Sequence, residues 1–144
     1  MSIQVKTMLD WKNEGVEPEI LFWVGSAGSF DDRSKKITRA FVKIMNKARV
    51  EFGVLGIEES ASGDTAKRAG NEFLFQMQAL TNIELMNSYN IKRIVTTCPH
   101  DFNTIKNEYK NLGGNYEVLH HTEFIYELIS KKRFKLYNNL KNHK

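Results

Sequence analysis

Cysteine is almost absent: Cys98 is the only one among 144 residues. No internal disulfide can form, and four thiolates cannot converge on a metal centre within one chain. Long apolar runs are missing too. No stretch of about 18 apolar residues is present to cross a membrane as a helix. Met1 to Glu19 holds no apolar segment able to act as a signal peptide, so a cytoplasmic location is expected. Excess charge of one sign is small, a formal +4. Much of it gathers at Lys131, Lys132, Arg133, Lys135, Lys141 and Lys144, which reads as a solvated helix end and tail. Only Phe134 and Tyr137 interleave with that run, too few aromatics for a nucleic-acid surface. Hydrophobic residues make up 41% and charged residues 26%, which excludes a disordered or fibrous chain.

Short apolar runs bounded by turn residues alternate with helical patterns. Glu17-Pro18-Glu19 interrupts regular structure ahead of Ile20-Leu21-Phe22-Trp23-Val24. That run ends at glycine and reads as a buried parallel strand. Ile37, Phe41, Ile44, Met45 and Ala48 then recur at helical spacing. A second strand is expected within Val50–Ile57, and one long helix over Ala66–Tyr89, capped by Asp64 or Thr65. A third strand over Ile91–Thr97, a helix over Phe102–Asn111, a fourth strand over Tyr116–Leu119 and a helix from Glu123 to about Lys132, capped by Thr122, complete the chain. The order β-α-β-α-β-α-β-α predicts a single α/β domain, with a parallel sheet of about four strands flanked by helices. Residues 1–18 read as a lead-in, 19–136 as the domain and 137–144 as a polar tail.

In open sheets of this kind the ligand sits beyond the carboxyl ends of the strands. Four segments are placed there: Gly25–Phe30, Glu58–Asp64, Cys98–Asn103 and His120–Thr122. Gly25-Ser26-Ala27-Gly28-Ser29 could turn backbone amides toward an anion. It matches neither dinucleotide-binding nor P-loop spacing, and Asp31-Asp32 would repel phosphate. Ser26 and Ser29 lack the nucleophile-elbow pattern of a hydrolase. Cys98-Pro99-His100-Asp101 has more chemical content. A cysteine at a strand end and helix start is expected to have a lowered pKa and a reactive thiolate, although a lone cysteine also serves as a small buried hydrophobe. His120 and His121 either tie the sheet end to its loops or, with Cys98, His100 and Asp101, form a mixed set suited to zinc or thiol chemistry.

The same segments carry a family resemblance. Leu21-Phe22-Trp23-Val24-Gly25-Ser26-Ala27-Gly28-Ser29-Phe30-Asp31-Asp32-Arg33 is similar to the first motif of the cysteine-rich "CCG" domain. That domain occurs in heterodisulfide reductases and in glycolate oxidase iron–sulfur subunits. Glu58-Glu59-Ser60-Ala61-Ser62-Gly63-Asp64, Thr96-Thr97-Cys98-Pro99-His100-Asp101-Phe102-Asn103-Thr104 and Gly113-Gly114-Asn115-Tyr116-Glu117-Val118 resemble its later motifs, in order. The resemblance implies an iron–sulfur oxidoreductase active in electron transfer, working with a redox partner subunit or a second cysteine-rich domain. It places the cluster-binding positions at Ser26, Ala61, Ser62, Cys98 and Asp101, framed by Gly25, Gly28, Gly63, Asp64 and Pro99. Cys98 alone keeps a thiol. Clusters require soft sulfur ligands, so the expectation is a frame that holds no normal cluster, with Cys98 and Asp101 as the remaining metal-capable pair. The alternatives are a cluster-free module docking a redox partner, or a small thiol- or zinc-dependent enzyme built on Cys98 and the histidines.

Overall fold

A computed structural model describes residues 5–25 and 32–133. Its sheet has five parallel strands in the order β1-β3-β2-β4-β5, namely β1 (Lys6–Thr7), β2 (Ile20–Trp23), β3 (Phe52–Val54), β4 (Arg93–Thr96) and β5 (Glu117–His120). Among the described residues six α-helices accompany it: α1 (Met8–Asn13), α2 (Asp32–Lys47), α3 (Asp64–Arg68), α4 (Glu72–Ser88), α5 (Pro99–Asn103) and α6 (His121–Ser130). The α/β architecture with its flanked parallel sheet is the expected one.

The central strand β2 is buried along its whole length because both of its faces are covered. Leu21 and Trp23 point to one side, into a core with Phe75, Ala79, Ile83 and Met86 of α4. Ile20 and Phe22 point to the other, against Phe41 and Met45 of α2 and Phe124 and Leu128 of α6. There Phe41 meets Phe22 and Phe124 edge to face, with ring centroids 5.2 and 6.3 Å apart, an arrangement that adds to simple burial.

Several boundaries differ from the sequence pattern for local reasons. The lead-in contributes the fifth strand: Thr7 pairs with Val54 and also caps α1 in a reciprocal capping box with Asp10. The single helix expected over residues 66–89 is two helices. Gly70 adopts φ +80° and closes α3, and the Asn71 side chain accepts the N–H of Leu74 at 3.1 Å to restart the chain as α4. The helix after β4 begins at Pro99, whose missing N–H is harmless in a first turn. It continues through a π turn (Thr104–Glu108) and a 3₁₀ turn (Tyr109–Leu112). α6 starts earlier than expected, at His121. Its cap is His120, paired with Glu123 in a capping box, and not Thr122.

The strand order positions the site. β3 lies on one side of β2 and β4 on the other. The connections leaving the adjacent strands β2 and β4 run to opposite sides, toward β3 and β5, and a crevice opens above their carboxyl ends.

Candidate functional site

An open cavity of about 680 Å³ occupies that crevice. Trp23 at the end of β2, Glu59 to Asp64 after β3, and Cys98, His100 and Asp101 at the start of α5 line it. Two of the expected segments, Glu58–Asp64 and Cys98–Asn103, therefore meet in it. Gly25 adjoins them: a Cβ built on it would lie 2.8 Å from Asp101 Oδ2 and 3.7 Å from Cys98 Cβ. With φ +83° as well, this turn needs a residue without a side chain. Ser26 and Gly28 lie outside the described residues.

Asp101 is the hub. The hydroxyl of Ser62 donates to its Oδ1 at 2.5 Å, and the indole N–H of Trp23 donates to its Oδ2 at 3.2 Å. Ser62 is buried, and its oxygen also accepts the N–H of Asp64 at 3.3 Å. Ala61 is exposed at the cavity rim. Asp64 ties α3 to the helix after β4 through Thr104, whose hydroxyl donates to Oδ1 at 3.2 Å, and pairs with Arg68 at 2.9 Å. Gly63 precedes α3 as its cap.

Glu59, within an expected segment but not singled out from it, and Asn82 and Tyr109, outside those segments, hold this wall in place. The Glu59 carboxylate accepts the backbone N–H groups of Val24 and Gly25, each at 2.9 Å, and so clamps the β3 loop to the β2 loop. Burial raises its pKa above the ordinary 4.5; the two backbone N–H groups oppose that and the nearby Asp101 adds to it. Asn82 of α4 is fully buried. Its amide donates to the Ala61 carbonyl at 2.8 Å and to the Tyr109 hydroxyl at 3.1 Å, while its oxygen accepts from Ser60 at 2.9 Å. Tyr109 in turn donates to the Ser62 carbonyl at 2.6 Å. The signal for Asn82 was present in the sequence, as a polar residue interrupting the apolar stripe of Ala79, Ile83 and Met86.

Cys98 departs from expectation in its acidity. Burial pushes the thiol up, and the negative charge of Asp101 adds to this, against the opposing backbone N–H groups of Asp101 and His100. The thiolate that a helix start was expected to favour is therefore disfavoured at neutral pH. His100 is exposed and lines the cavity; Pro99 is exposed beside it. His120 and His121 are not among the described lining residues. Their rings pack on each other at 4.4 Å, His120 against Phe102 and His121 against Phe41. His120 Nδ1 lies 3.0 Å from the Thr122 hydroxyl. Burial, then His120, holds the His121 pKa below its ordinary 6.5. Among the described residues, no group of three or more His, Cys, Asp or Glu side chains is placed to hold a metal ion. Among them too, no helix is long and apolar enough to cross a membrane.

Fold and site define an open-sheet α/β domain whose cavity lies where the strand order reverses. Comparison with known proteins gives the relationship. The chain is 47% identical to the EtfAB:quinone oxidoreductase of Syntrophomonas wolfei, over 85% of its own length and 17% of the relative's. It is 48% identical to a probable iron–sulfur-binding oxidoreductase, FadF, of Bacillus subtilis, over 92% of its length and 19% of the relative's. One subunit of the dihydromethanophenazine:CoB–CoM heterodisulfide reductase of Methanosarcina mazei matches at 25% identity, over 90% of the chain and 34% of that subunit. No protein-family model matches, and no solved structure matches significantly. Over most of its length the chain is thus related to iron–sulfur oxidoreductases, consistent with a CCG-type domain of that family. It spans only about a fifth of the first two relatives.

Proposed function

We propose that this chain acts as a domain of an electron-transferring iron–sulfur oxidoreductase, alongside a redox partner subunit, with its own ligand positions converted into a hydrogen-bonded polar site that holds no normal cluster. The observation that carries this reading is the state of Asp101. Both of its oxygens are already engaged, by the Ser62 hydroxyl and the Trp23 indole. Ala61 offers no donor atom, and Cys98 is the single thiol. Iron–sulfur clusters are held by cysteine thiolates, about four to a cluster, and a hydroxyl and a carboxylate are hard oxygen donors better suited to other metals. These residues do not fit the group that the relatives' names imply. What remains is the frame: the Glu59 clamp and the Asn82–Tyr109 network hold the loops whether or not a metal is present.

Anaerobic incubation with iron and sulfide tests the reading. The natural chain is expected to stay colourless and to retain no stoichiometric iron. The variant Ser26→Cys/Ala61→Cys/Asp101→Cys, with Cys98 unchanged, is expected to take up iron and sulfide and to absorb broadly in the visible. A natural chain that binds about four irons with matching sulfide would overturn the reading.

A further inference from the structure

Strand β5 ends the sheet on one side. It pairs with β4, and among the described residues no strand pairs with its outer edge. Along a strand, successive residues turn their backbone N–H and C=O groups to opposite sides. The N–H of Glu117 donates to the Lys92 carbonyl at 2.9 Å, toward β4. The groups of Val118, one residue on, therefore turn outward. So does the N–H of His120, which Glu123 Oε1 accepts at 3.0 Å. An unpaired edge is a template for another strand. Beside this edge runs an open groove of about 500 Å³, with Lys106, Lys110, Val118, Leu119 and Glu123 in its lining. The turns that follow α5 form one wall, since Ile105 and Tyr109 share a core with Val118. Helix α6 forms the other, since Leu119 packs on the core that holds Phe124 and Leu128.

The walls differ in charge. Lys106 and Lys110, both exposed, stand on the first. Among the described residues neither meets a carboxylate: Lys106 Nζ lies over the Phe102 ring, 5.0 Å from its centre, and Lys110 has no polar partner. The acids of the groove are occupied. Arg93 holds Glu117 at 2.8 Å. Glu123 closes the His120 N–H in the first turn of α6, where the helix dipole favours a negative charge. We propose that the edge of β5 takes up an extended segment of a partner protein as a sixth strand, with acidic residues at alternate positions. Main-chain bonds to Val118 supply the pairing, and the two lysines supply the selectivity. Side chains two apart on a strand share a face and stand about 6.7 Å apart. Lys106 and Lys110, four residues apart, are spaced by about 6 Å at the α-helical rise, so two such carboxylates reach both. The intervening side chain faces α6 and Glu123, and is uncharged or basic. Charge also disfavours a second copy in this place. Edge-to-edge pairing about a two-fold axis normal to the sheet would set both lysine walls on the same face, like charge beside like charge.

Fluorescence anisotropy of the full chain with labelled octapeptides tests the proposal. One peptide alternates threonine with glutamate, and another alternates threonine with lysine. The glutamate peptide should bind at least about tenfold more tightly and should slow hydrogen exchange of the Val118 amide. Lys106→Glu combined with Lys110→Glu, checked for unchanged folding by circular dichroism, should weaken that binding by about tenfold or more. A glutamate peptide N-methylated at every amide keeps its charge but has no N–H to donate, and should lose most of its affinity. Equal binding of the two peptides would overturn the proposal, as would an affinity untouched by the double variant or by N-methylation. A natural chain that dimerises in sedimentation velocity, with the dimer and not the peptide protecting the Val118 amide, would overturn it as well.

Discussion

The hydroxyl of Ser62 and the carboxylate of Asp101 lie 2.5 Å apart, joining the loop after β3 to the start of α5 across 39 residues of sequence. Ser62→Ala would leave Asp101 Oδ1 without its protein partner in the cavity wall. A hydrogen bond to a charged group contributes about 1.5–3 kcal/mol, reduced here because the cavity admits water. Urea denaturation should show a loss of about 1–2 kcal/mol, and Ser62→Thr should restore most of it.

Gly25 and Gly70 give a paired comparison. Both have positive φ, +83° and +80°, so alanine strains the backbone at each by about 1 kcal/mol. Around Gly70 a new Cβ meets nothing within 4 Å, whereas at Gly25 it meets Asp101 Oδ2 at 2.8 Å. Asp101 is short and held at both oxygens, so it yields poorly. Gly25→Ala is expected to lower the melting temperature clearly more than Gly70→Ala. Equal effects would show that the Asp101 contact is easily relieved.

The buried pair Asn82 and Tyr109 should matter more for stability than any single contact within the cavity. Tyr109→Phe removes the bond to the Ser62 carbonyl and is expected to cost about 1–2 kcal/mol. Asn82→Ala removes the donor to the Ala61 carbonyl and to the Tyr109 hydroxyl and opens a void, at about 3 kcal/mol or more. Hydrogen exchange of the Ser60–Ser62 amides should accelerate in both variants while that of β4 changes less.

Arg93 holds Glu127 with two hydrogen bonds, at 2.8 and 3.2 Å, and Glu117 with one at 2.8 Å. The bonds from Arg93 hold the Glu127 pKa below the ordinary 4.5. A depressed acid stabilises the folded state above its unfolded pKa, and that stability is lost as pH falls through the folded pKa. Glu127→Gln should therefore cost about 0.5–1 kcal/mol at neutral pH. The gap to the natural chain should close as pH falls through the ordinary carboxylate range and below it. A gap that persists in acid would mean that the pair acts through packing instead of charge.

Cys98 should react slowly with iodoacetamide at neutral pH. Burial lifts its thiol above the ordinary 9.0, and alkylation requires the thiolate. The rate at pH 7 is expected to fall below that of a free cysteine and to keep rising past pH 9. Asp101→Asn, which removes the neighbouring negative charge, should shift the profile toward lower pH.

The sequence by itself determined the class of fold and two of the loops that line the cavity, Glu58–Asp64 and Cys98–Asn103. Continuous apolar runs such as Ile20–Trp23, separated by helical stripes, specify strands buried on both faces of a parallel sheet. The rule that ligands sit beyond strand carboxyl ends then picks out Gly25, Ala61, Cys98 and Asp101, without coordinates. Periodicity did not show the break at Gly70, because α3 is too short to carry a pattern of its own and a left-handed residue marks its end. Nor did it show β1, two residues too short to carry a pattern. What the tertiary structure alone decided is the electrostatic state of the site. A helix start lowers a thiol's pKa only when desolvation and neighbouring charge allow it, and burial beside Asp101 outweighs the backbone N–H groups around Cys98. His120 and His121 follow a strand end, as a site residue would, yet their rings pack on Phe102 and Phe41 instead of lining the cavity. Those outcomes depend on distances between residues far apart in the chain, which spacing along a sequence does not encode.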